Sequence, residues 1–93
     1  MTEDNSIFIG NKPFMNYVTS VVMQFTTKNA TDVTIKARGK FISRAVDVAE
    51  VASKRFLKDQ ISLKDISINS EGFQNSEGKE VRVSTIEIML TKG

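Results

Sequence analysis

Apolar residues recur along this chain with two alternating rhythms, and those rhythms define its elements. Ile7, Phe8 and Ile9 form a short apolar run closed by Gly10, a length that suits a buried strand better than a helix. Pro13 then sits where a first helical turn tolerates a missing N–H. Met15, Val18, Val22 and Phe25 follow at spacings of three, four and three, which places them on one helical face and predicts a helix over about Pro13 to Thr27. Lys28 to Asp32 (KNATD) is turn chemistry. Val33, Ile35 and Ala37 alternate with Thr34, Lys36 and Arg38 in the period of a strand with one buried face, and Gly39 ends it. Ile42, Ala45, Val46, Ala49, Ala52 and Phe56 mark the stripe of a second helix running to about Leu57. Val48 and Val51 widen that apolar surface, so this helix is expected to meet both its own core and a neighbouring subunit.

The last third changes character. Ile66 and Ile68 belong to a third strand, and Ile86, Ile88 and Leu90 to a fourth. Between Asn69 and Glu80 the only large apolar residue is Phe73, so this segment lines no core and is expected to project as a long polar hairpin arm. Ser76-Glu77-Gly78 is its turn, with Gly78 free to take positive φ. Val81 and Val83 alternate in the opposite phase to Ile86, Ile88 and Leu90, which predicts a bulge or strong twist where the arm leaves the body. The resulting order is β-α-β-α-β-β, an α/β chain folded as an α+β two-layer sandwich. Two helices should cover one face of a four-stranded mixed sheet, in a single domain over residues 1–93.

Composition narrows the chemistry. Cysteine and histidine are both absent, which removes disulfides, thiolate metal sites and the usual proton shuttle near neutral pH. No metal site, cofactor or catalytic residue is expected. No nucleophile-and-base spacing and no phosphate-binding loop of the GxxxxGK[ST] type occurs, so an enzyme is disfavoured. No apolar run is long enough to span a membrane, and the start, MTEDNS, is acidic and polar, so the chain reads as intracellular, without a membrane partner. So small a chain leaves much surface exposed, which makes association with a second copy an expected way to hide apolar area.

Charge is nearly balanced overall, at 13 Lys+Arg against 11 Asp+Glu, but not locally. From Val33 to Val46 there are four cations, Lys36, Arg38, Lys40 and Arg44, and no anion. Cations beside a helix start are poorly matched to the helix dipole, so stability alone does not account for them. A bound phosphate would relieve their repulsion and engage the free N–H groups there. The loop GNKP after strand one stands in the same relation to its strand as ARGK does to strand two. If the two strands are parallel neighbours, Lys12, Arg38 and Lys40 converge at one sheet end.

Four segments in order, GNKPFMNYV (Gly10 to Val18), IKARGKFISRAVD (Ile35 to Asp47), KRFL (Lys54 to Leu57) and RVSTIEI (Arg82 to Ile88), closely resemble the Alba family of small archaeal chromatin and RNA-binding proteins. The resemblance runs over nearly the whole chain. It implies a homodimer whose central surface carries the basic loops and whose two arms reach along a duplex toward the minor groove. On this chain it implies a nucleic-acid-binding set of Asn11, Lys12, Asn16, Tyr17, Lys36, Arg38, Lys40, Arg44, Lys79 and Arg82, with Phe56 at a dimer-to-dimer contact on DNA. Tyr17 reads equally well as a core or rim aromatic, and Phe56 as part of the helix stripe. Two departures from the family pattern weaken attraction to a polyanion. Asn11-Lys12 stands where many members have two lysines, and Glu71, Glu77 and Glu80 make the arm less cationic.

The function implied is sequence-tolerant binding of double-stranded DNA by a chromosome-associated cytoplasmic homodimer, since loops on phosphates carry no sequence information. The alternative is an RNA-binding protein, a ribonucleoprotein subunit or RNA chaperone, because a basic loop surface also accepts structured RNA by shape. A pure assembly module that pairs the basic stretch with acidic partners is the remaining class.

Overall fold

The computed structural model describes residues 5–93, and the polar lead at Met1 to Asp4 lies outside the described residues. The order is β1 (Ser6–Phe8), α1 (Phe14–Thr26), β2 (Asp32–Arg38), α2 (Ile42–Val51), β3 (Ile61–Gln74) and β4 (Glu80–Lys92). The strands form one mixed sheet in the order β1-β2-β4-β3, with β1 parallel to β2 and both other pairings antiparallel. Both helices cover the same face.

Period-two burial on β2 sets the core. Val33, Ile35 and Ala37 point under the helices, and their register partners Leu90, Ile88 and Ile86 on β4 continue the same buried layer. From α1 the core takes Val18, Val21 and Phe25 together with Tyr17, while Met15 stays exposed and Val22 is only partly buried. The buried stripe is thus rotated from the one expected by about a residue, because Tyr17 is held inward by its hydroxyl contacts. In α2 the buried set is Ala45, Val48, Ala49 and, beyond the helix end, Ala52, whereas Val46 and Phe56 of the expected stripe face solvent.

That second helix also ends differently from expectation. From Ala52 to Phe56 the chain widens into a π turn, closed by Leu57 N–H donating to the Ala52 carbonyl at 2.9 Å. The wider turn sends Leu57 into the core at 3% exposure and leaves Phe56 outside at 51%.

The arm is a paired hairpin rather than a loose loop, laddered without interruption from Asp65↔Met89 to Gln74↔Glu80. Asn75 organises its tip: the side-chain oxygen accepts the N–H groups of Glu77 and Lys79 at 2.9 and 3.0 Å, and Gly78 takes φ +79°. The bulge expected near Val83 is absent there. The register shift lies at Leu63/Asp65, at the base of β3. Val81 and Val83 change phase because the arm outruns the helices, so its apolar side chains turn to the open face, where Val83 Cγ1 comes within 3.6 Å of the Cβ position of Gly39. At the sheet's other end, the displaced Lys64 ammonium pairs with Asp32 at 3.3 Å. Thr91 donates to the same carboxylate, and these two contacts, Thr91 first, hold Asp32 below its ordinary value of 3.8.

Candidate nucleic-acid interface

The parallel pairing of β1 with β2 opens GNKP and ARGK at the same end of the sheet. Each loop delivers the chain into a helix that has no side-chain cap and no acidic residue in its first turn. In ARGK, Gly39 at φ +55° turns the chain sharply off β2 into a short 3₁₀ turn before α2. Both helix starts therefore present backbone N–H groups and their share of positive dipole on one side of the molecule.

GNKP is a braced loop. The Tyr17 hydroxyl accepts the backbone N–H groups of Gly10 and Lys12, both at 2.9 Å. Arg44, one turn into α2, donates from Nη2 to the Lys12 carbonyl at 2.7 Å, and its guanidinium carbon lies 5.9 Å from the Tyr17 ring centroid. The Arg44 Nε is buried without a partner. Tyr17, at 6% exposure, and Arg44 thus tie the loop after β1 to the helix after β2 and fix where the exposed Lys12 ammonium emerges. Asn11 and Asn16 are exposed beside it, and the Asn16 carbonyl accepts the Ser20 hydroxyl.

The remaining cations divide. Lys36 and Arg38 lie on the sheet face away from the helices, in register with Glu87 and Thr85. The Lys36 Nζ stands 5.4 Å from the Phe8 ring centroid, and Lys40 stands at the same distance from Phe41. Arg38 is paired across to the arm, its Nη2 3.0 Å from Glu71 Oε1, with both side chains more than half exposed. Arg82, paired in register with Gly72, projects from the other face of the arm with a long contact to Ser70 at 3.5 Å, and Lys79 lies at the tip. Lys12, Arg44 and Tyr17 are therefore brought together, Lys36 and Arg38 form a neighbouring group, and Arg82 and Lys79 stand apart on the arm.

Sequence reasoning missed two features. The brace at Tyr17 had no distinct signal, since a tyrosine in the first turns of a helix fits a core, a rim or a ligand. The Arg38–Glu71 pair was hidden by a separation of 33 residues, although Glu71 was already noted as an anion out of place on the arm.

The family model for Alba matches residues 5–70. The chain belongs to the Alba family. It is 55% identical over 89 residues to the DNA/RNA-binding protein Alba 1 of Archaeoglobus fulgidus, covering 96% of this chain and 97% of that protein. It is 49% identical over 89 residues to the DNA/RNA-binding protein Alba of Methanococcus maripaludis, covering 96% and 99%. Alba from Thermoplasma volcanium shares the fold with a TM-score of 0.83 at 48% identity, over 92% of this chain and 98% of that one. The β-α-β-α-β-β order and the mixed four-stranded sheet are those of this family. Membership places this Alba chain among binding proteins rather than enzymes. No helix among the described residues is long and apolar enough to cross a membrane.

Proposed function

We propose that this Alba chain is a sequence-tolerant nucleic-acid-binding homodimer that grips duplex DNA by its phosphates. The observation that carries the reading is the braced loop end: Lys12, Arg38 and Lys40 issue from two loops opened side by side, above two uncapped helix starts. Lys12 and Lys40 point to solvent, and Arg38 is available by exchange of its exposed partner Glu71. Tyr17 and Arg44 act one step behind, as the brace. The names of the relatives, DNA/RNA-binding proteins, agree with this partner class.

The homodimer rests on a separate feature. Leu63, Ile66 and Ile68 of β3 lie on the helix side of the sheet but beyond the reach of α2, at 56%, 49% and 77% exposure. Leu63 and Ile66, with Val46 and Lys54, line a groove of about 220 Å³, and Ile68 lies further along the same strand. An edge strand with that much apolar surface is a pairing surface, and a second copy presenting its own β3 and α2 would cover it by two-fold symmetry. Phe56, exposed on the π turn, is free for contact between dimers. The whole chain acts as one domain, in the cytoplasm on the chromosome.

The test is binding of Lys12→Ala/Arg38→Ala/Lys40→Ala to duplex DNA and to folded RNA at matched salt. The reading predicts loss on duplex DNA, and unchanged affinity for both would refute it. Preference for folded RNA in the wild type would favour the ribonucleoprotein reading instead.

A further inference from the structure

The sheet face turned away from the helices carries an open groove of about 700 Å³ whose lining includes exposed aromatic rings. Three of the six phenylalanines of the chain, Phe8, Phe41 and Phe73, border it. Phe8 and Phe73 are 66% and 44% exposed, aromatic surface that the core does not use. Charged groups share the lining with the rings: Lys36 stands over Phe8, and Arg38 is paired with Glu71, while Lys40, next to the groove in sequence, stands over Phe41.

Rings interleaved with cations on an open sheet are the elements needed to hold an unpaired polynucleotide. Bases stack on the rings whatever their identity, and lysine or arginine takes the phosphates between them. We propose that this groove binds single-stranded nucleic acid, with bases stacked on Phe8 and Phe73 and phosphates on Lys36 and Arg38. The two carboxylates in the lining, Glu71 and Glu87, decide between single strand and duplex. A duplex pressed into the groove brings two rigid phosphate rails past both carboxylates. A single strand can rotate its bases toward them, where the oxygens accept from N–H groups of the base edges, the ring N–H of thymine included, and keep its phosphates on the cations. The site goes beyond the duplex reading and shares Arg38 with it.

The test uses fluorescence anisotropy with a labelled oligothymidylate of about twelve nucleotides, a length within the range one such surface covers, and a duplex of equal length. The variant is Phe8→Leu/Phe73→Leu, which keeps apolar bulk at two exposed positions but removes the stacking faces. The site predicts about tenfold or greater loss on the single strand, with duplex affinity within about twofold of wild type. Lys12→Ala should do the reverse, weakening the duplex more than the single strand. Upfield ring-current shifts of the Phe8 aromatic protons on adding the oligothymidylate, and not on adding the duplex, give a second readout. The proposal is overturned if the double variant binds the single strand like wild type, or loses both ligands in parallel. It is also overturned if wild type ignores the single strand while binding the duplex, an outcome that leaves the duplex reading standing.

Discussion

Removing the Tyr17 hydroxyl tests the brace with a change of one atom. In Tyr17→Phe the ring still fills its buried site, but the N–H groups of Gly10 and Lys12 lose the acceptor they share at 2.9 Å. Both bonds are partly buried, and a donor left unpaired in such a place costs about 1 kcal/mol or more. Two of them give about 2 kcal/mol. For a domain of this size 1 kcal/mol moves Tm by about 4–8 °C, so a fall of about 10 °C is expected at fixed protein concentration. Binding should change in a particular way. Every cation remains, so the number of phosphates neutralised is unaltered and the slope of log K against log salt stays at its wild-type value. The intercept drops, because Lys12 now emerges from a loop that must be ordered on binding. Calorimetry and anisotropy across salt give both numbers. An unchanged Tm would show that water replaces the hydroxyl without cost and that the loop needs no brace.

Glu71→Gln releases Arg38 from its exposed partner. Such pairs are worth about 1 kcal/mol at most, so duplex affinity measured by anisotropy should rise by up to about fivefold, and a fall would mean that Glu71 orients the arginine rather than occupying it. Ile68→Glu places a charge on the apolar edge at the most exposed of its three positions. Sedimentation should show a folded monomer, and a persistent dimer would locate the subunit contact elsewhere. Asp32 has its carboxyl held below 3.8 by Thr91 and Lys64. A depressed carboxylate contributes stability that is complete well above its unfolded value and disappears as pH falls through its folded one. Thermal melts should therefore show wild type ahead of Asp32→Asn at neutral pH and level with it in strong acid, whereas a gap independent of pH would assign the effect to something other than titration.

The framework of the fold was legible because two periods dominate it. Val33, Ile35 and Ala37 alternate cleanly, and their partners Ile86, Ile88 and Leu90 do the same, so β2 and β4 and their shared buried face follow from pattern alone. The arm was legible for the opposite reason, a stretch with too little apolar surface to be buried. What failed was local. Met15 and Val46 fit the helical stripes by spacing, yet Tyr17 rotates α1 toward itself and the core of α2 is read from Val48. Nothing in ASKRF announces a π turn, which is fixed by how Leu57 docks rather than by propensity. The phase change at Val81 and Val83 was correctly seen, but of the bulge or strong twist offered for it the bulge is not there: the register shift lies at Leu63/Asp65, and a change in which face is apolar needs no bulge once the helices have ended.

The candidate site was legible as charge and invisible as architecture. Four cations without an anion stand out in a nearly balanced chain, and two basic loops after consecutive strands suggest convergence. The contacts that organise them join residues far apart in sequence, Arg44 to the Lys12 carbonyl and Arg38 to Glu71, and have no local signature. The exposed edge of β3 was likewise concealed, because isoleucines in a strand look alike whether a helix or a second subunit covers them.

The central claim, that paired loops of two subunits neutralise duplex phosphates, is tested most directly by the salt dependence of duplex binding. Three loop cations from each of two subunits predict a slope of log K against log salt of about 5 in magnitude, falling by about 2 in Lys12→Ala. A wild-type slope near zero, or one that Lys12→Ala leaves unchanged, would contradict it.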